Sequence, residues 1–108
     1  MSAHATTRAL TRTLQMTLAG SSDVHDVVVR VWLPERDPAP GGDFRALVEI
    51  DGFDIPYSRY FCGVDELQAF LAGCWTVPQI LTMLAPAGAS LTWLGEGDLG
   101  FGTSSAIP

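Results

Sequence analysis

The chain has 108 residues, 47% of them hydrophobic and 17% charged, which is enough for one domain with its own core and too apolar for a disordered chain. Twelve acids stand against six basic residues, a net charge of −6 in which every basic residue is an arginine; such a surface disfavours nucleic acid and anionic membranes as partners. The opening MSAHATTRA lacks the apolar stretch of a secretory signal, and no apolar run approaches the roughly 18 residues of a membrane span, so a cytoplasmic protein with no membrane partner is expected.

Taken in order, residues 1–8 are small and polar and are expected to fray, as are residues 103–108, within a single domain over 1–108. Leu10 to Leu18 alternates, with Leu10, Leu14, Met16 and Leu18 on one side and Thr11, Thr13, Gln15 and Thr17 on the other, the pattern of a strand with one buried face. Arg12 interrupts its apolar side. Ala19 to Asp23 is turn chemistry, and Asp26 to Leu33, rich in β-branched residues, reads as the second arm of a hairpin. Pro34 ends that arm, and the following PERDPAPGGD reads as a surface loop.

Phe44 to Asp51 is a third strand, with Phe44, Ala46, Val48 and Ile50 inward. Asp51-Gly52 turns the chain, and Ile55 to Cys62 reads as a fourth strand that Pro56 confines to a sheet edge or to its own first residue. Gly63 to Ala85 carries the one sustained helical pattern: Val64, Leu67, Phe70, Leu71, Cys74, Pro78, Leu81 and Leu84 recur at spacings of three and four. The spacing predicts a helix from about Asp65 to Leu84. Asp65 and Gln68 stand at capping-box spacing, and Pro78, which removes the bond to the Cys74 carbonyl, predicts a kink or break between Cys74 and Val77. Leu67, Phe70, Leu71, Cys74, Leu81 and Leu84 are expected to pack on the face that carries Leu14, Met16, Val29, Val31, Val48 and Ile50. Ser90 to Leu94 is a short closing strand with Trp93 in the core, and Leu99 and Phe101 are expected to fold back over apolar surface. The order β-β-β-β-α-β gives an α+β two-layer sandwich, a mostly antiparallel sheet with one long helix across one face.

Few residues carry chemistry. Gly95 to Gly100 matches G-x-G-x-x-G, but no helix opens after it and Glu96 and Asp98 stand where phosphates would lie, so no nucleotide or other cofactor is expected. His4, His25, Cys62 and Cys74 have no metal-ligand spacing. The two cysteines lie roughly 13 Å apart along a helix axis and are expected to be free. Catalytic and metal residues are therefore expected to be none. One helix covers one side of the sheet, leaving Val28, Arg30 and Trp32 of the second strand and Arg45, Leu47 and Glu49 of the third on the other. Trp32 and Leu47 are too apolar for an idle surface, so either loops and tail cover them or a partner does, as a homotypic or heterotypic interface.

The segments RYFCGVDELQAF (Arg59 to Phe70) and LTWLGEGDLGF (Leu91 to Phe101) resemble a family of small bacterial proteins of unknown function. In that family a Tyr-x-x-Gly-Val-Asp-x-Leu-Gln-Ala block precedes a helix and a Leu-Thr-Trp-Leu-Gly…Gly-Asp-Leu-Gly-Phe block closes the chain. Pro34, Glu35, Asp37 and Pro38 agree loosely, whereas Pro78 and the final GTSSAIP depart from the pattern. The resemblance implies a bacterial origin and one small domain, and it implies no activity. Three classes stay open: a non-catalytic interaction protein, such as an acidic immunity-type or inhibitor protein for a basic partner; a homodimeric accessory protein using the open sheet face; and a small-ligand binder or enzyme with a site at the GEGDLGF loop.

Overall fold

The structure, a computed structural model, describes residues 8–39 and 41–101. The chain forms strands β1 (Ala9–Thr17), β2 (Val24–Trp32), β3 (Glu35–Arg36), β4 (Phe44–Asp51) and β5 (Tyr57–Gly63), then helix α1 (Glu66–Leu84) and strand β6 (Ser90–Thr92). All pairings are antiparallel, and the α+β two-layer arrangement read from the sequence holds. Of the ends expected to fray, 1–7 and 103–108 lie outside the described residues, while the Arg8 carbonyl accepts the Leu33 N–H at 2.7 Å.

Strand β3 is an addition to the sequence reading, which placed it in a loop. Between the pairs Val31↔Val48 and Glu35↔Arg45 the chain takes four steps on one side and three on the other. One residue is therefore extra, as in a bulge, and it falls beside Pro34, which has no N–H to offer the ladder. Because Phe44 and Arg45 pair with β3 on one edge and with Gly63 and Cys62 of β5 on the other, β3 prolongs β2. The sheet thus reads β5-β4-β2-β1-β6 across, and Pro56 sits immediately before the edge strand β5.

One side of this sheet makes the core. Leu14, Met16, Val27, Val29, Val31, Val48 and Ile50 lie on the side that α1 and the closing segment cover and are at most 5% exposed. The helix begins as predicted: Asp65 caps it by accepting the Gln68 N–H at 2.7 Å. The Gln68 side chain reaches back one residue further than a capping box requires, accepting the Val64 N–H at 2.6 Å. Helix α1 runs unbroken through Pro78, so of the kink or break expected there the break is absent.

The buried stripe of α1 is not the predicted one. Ala69, Gly73, Val77, Ile80 and Leu81 are buried, with Phe70, Cys74 and Leu84 packed at the margin. Leu67 is 65% exposed and Val64 72%, and Leu71 is only half-buried. The helix is turned by about one residue's rotation relative to the stripe of large apolar side chains. Small residues explain the turn. A Cβ on Gly73 would lie 3.0 Å from Cγ2 of Val48, and one on Gly63 would overlap the backbone of Gln68 and Ala69, so the helix sits lowest where side chains are smallest. By length and a mean hydropathy of 1.3, α1 would also pass for a membrane span, contrary to the sequence reading; its apolar composition belongs partly to its packing on the sheet.

Helix α1 contacts β5, β4 and β2, and the half of the same side formed by β1 is covered by the closing segment. Trp93, Leu99 and Phe101 pack against the core there, as predicted, although β6 itself stops at Thr92. Arg12, the charge that interrupts the apolar side of β1, is stacked 3.9 Å from the Trp93 ring and 4.9 Å from that of Phe101. Its Nη1 donates to the Leu99 carbonyl at 3.1 Å. A guanidinium between two rings is a cation–π contact that also removes apolar surface from water.

Candidate interface on the outer side of the sheet

Strand alternation decides what faces away from α1. From β2 come Val24, Asp26, Val28, Arg30 and Trp32; from β4, Arg45, Leu47, Glu49 and Asp51; and the register brings Ser58, Tyr60 and Cys62 of β5 beside Glu49, Leu47 and Arg45. None of these residues is buried. Both α1 and the described part of the closing segment lie on the opposite side, so among the described residues neither covers this face.

Trp32, Arg45, Leu47 and Glu49, four of the residues marked in the sequence, line one hollow of about 230 Å³ together with Leu33, Glu35 and Tyr60. Val28 and Arg30 are on the same face but outside the hollow, Val28 beside Asp51 and Arg30 beside Glu49. The polar groups of the face hold one another. Trp32 Nε1 donates to Glu49 Oε1 at 2.5 Å. Arg45 donates through Nε and Nη2 to Glu35 Oε2, at 3.0 and 2.8 Å, while its guanidinium lies 4.1 Å from the Tyr60 ring centre. The Glu35 hydrogen bond raises the Arg45 pKa further above its ordinary value, so the cation is fixed. Arg30 Nη1 meets Asp51 Oδ2 at 2.6 Å, an exposed pair of little energetic weight.

Sequence reasoning missed Leu33, Glu35 and Tyr60. Tyr60 was within reach, since a hairpin closed at Asp51-Gly52 with Ile50 opposite Tyr57 puts Tyr60 beside Leu47. Glu35 was not, because it was assigned to a loop. The hollow has an aromatic and aliphatic floor and a rim of paired charges, the composition of a protein contact surface.

The GEGDLGF loop has a different character. Trp93 and Glu96 exchange backbone hydrogen bonds at 2.9 and 3.0 Å around Leu94 and Gly95, both at positive φ, which makes a type I′ turn. Asp98 Oδ1 accepts the Gly100 N–H at 2.9 Å. These acids close turns and do not converge on a common point. Near it, Leu10, Arg12, Phe70, Cys74 and Phe101 border a hollow of about 250 Å³, where burial pushes the Cys74 thiol up and the Arg12 charge opposes the shift. Cys62 and Cys74 are free, the first exposed. Among the described residues no three His, Cys, Asp or Glu side chains are grouped as metal ligands would be.

These features define a two-layer α+β sandwich whose sheet is covered on one side and bare on the other. The chain belongs to the family described as a Domain of unknown function (DUF6968), whose model matches residues 10–103. No curated protein and no solved structure matches it.

Proposed function

We propose that this is a non-catalytic interaction domain and that the outer side of the sheet, centred on Trp32, Leu47 and Tyr60, is its contact surface. The observation that carries the reading is the hollow in which those three side chains meet, ringed by the Arg45–Glu35 pair and by Glu49, which accepts from Trp32, and uncovered by helix or closing segment among the described residues. Burying a large apolar side chain in a partner is worth about 1.5–3 kcal/mol, whereas leaving it in water returns nothing to the fold. The net charge of −6 fits a basic protein partner, in the manner of an immunity-type or inhibitor protein, and the free thiols fit a cytoplasmic setting. Affinity capture from extracts of the native cell tests this with the wild type and Trp32→Arg, a substitution that leaves Glu49 a cationic neighbour. A partner held by the first and released by the second supports the reading; one held equally by both contradicts it.

A homodimer is the second reading, favoured by a specific feature. Because Arg45–Glu35 and Arg30–Asp51 are each paired within one chain, Glu49 is, among the described residues, the one charge of the hollow without an opposite partner, and the patch can meet its own copy about a twofold axis with little like-charge opposition. Light scattering on the purified protein separates the two, a dimer mass that falls to a monomer mass in Trp32→Arg supporting the second.

A further inference from the structure

A larger hollow lies elsewhere among the described residues. It measures about 500 Å³ and opens at the end of the sandwich where the β1–β2 turn, the β4–β5 connection and the C-terminus of α1 meet. Met16, Leu18, Phe53, Ile55, Met83 and Leu84 supply its apolar lining, and it shares no lining residue with the hollow on the outer face. Ile55 is 74% exposed and Met83 69%, so two large apolar side chains stand at its opening without burial of their own. Met83 also borders a second, shallow hollow of about 370 Å³ on α1, with Pro78, Gln79 and Thr82. A methionine is flexible and unbranched and can move aside for a chain running from one hollow into the other.

The polar lining sets the sign of the ligand. Asp54 and His25 line the hollow and Asp23 lies on the turn beside it, whereas Asp26 and Asp51 stand on the outer side of the sheet. Arg30 holds Asp51 at 2.6 Å; among the described residues Asp23, Asp26 and Asp54 have no ion pair. A largely apolar hollow with one carboxylate, Asp54, in its lining complements a molecule with a flexible hydrocarbon body and one positive end. We propose that this end cavity is a binding site for an amphiphilic cation, an aliphatic chain that carries an amine or guanidine group.

Each methylene buried in such a hollow is worth roughly a fourfold gain in affinity. The Asp54 carboxylate distinguishes an ammonium from a carboxylate head by roughly tenfold at low salt. Calorimetric titration with hexylamine, octylamine and octanoate at pH 8 tests both terms on the full chain. Octylamine is expected to bind saturably, several-fold tighter than hexylamine and roughly tenfold tighter than octanoate. Ile55→Lys, a change at an exposed position that puts a cation at the mouth, is expected to reverse the preference for the amine. Absence of saturable binding, equal affinity for the two amines, equal affinity for the two head groups, or a preference that survives in Ile55→Lys overturns the proposal.

Discussion

The two sides of the sheet are made by the same strands and behave in opposite ways. Toward α1, the side chains of Leu14, Val27, Val48 and Ile50 are fully enclosed; away from it, no residue of β1, β2, β4 or β5 is buried. The outer side is itself divided. Its β1 part presents Thr11, Thr13, Gln15 and Thr17, which water satisfies, whereas the end of β2 with β4 and β5 presents Trp32, Leu47 and Tyr60 around a hollow. A solvated face is served by threonine-like residues throughout, so the change of composition within one face is what supports the proposed contact surface.

The contrast is broken most sharply on the helix side. Leu81→Ala removes a side chain that is 1% exposed and should cost about 2–5 kcal/mol in denaturant unfolding, while Leu71→Ala on the half-buried flank should cost under about 1 kcal/mol. Equal losses would mean that the stripe has been placed wrongly. Gly63→Ala should cost about 1–3 kcal/mol, because the new methyl group meets helix backbone that cannot rotate away.

The thiols sharpen the same comparison, since Cys62 belongs to the outer side and Cys74 to the inner. With Cys74 half-buried and its thiol pushed up, less of it is thiolate at a given pH, so native Cys62 should react with a thiol reagent at least roughly tenfold faster at pH 8. Comparable rates would show that the helix opens freely. The smallest effect is a gain. Leu94 is 78% exposed at φ 54°, a conformation that a leucine adopts at a cost and an asparagine tolerates, so Leu94→Asn should stabilise the fold by about 1 kcal/mol.

How far the sequence could be read follows from what each element depends on. Strand alternation is local, and Leu14, Met16, Val29, Val31, Val48 and Ile50 reach the core that it assigned to them. The helix was legible in position and cap but not in phase, because its contact runs through Ala69 and Gly73, whose small side chains carry no weight in a count of large apolar residues. Strand β3 was not legible, since two residues behind a proline have no period. The outer patch was half legible: Trp32, Arg45, Leu47 and Glu49 follow from alternation within one strand, whereas Tyr60 and Glu35 join them only through cross-strand register.

The claim at the centre of this account is that Trp32 and its neighbours serve contact rather than folding. Thermal unfolding and light scattering on one preparation of Trp32→Arg, with the captured partner added where the wild type is monomeric, test it most directly. The account predicts a melting temperature within a few degrees of the wild type, together with loss of the dimer or of the partner complex. A fall in melting temperature matching that of Leu81→Ala, or an assembly unchanged by the substitution, would contradict it.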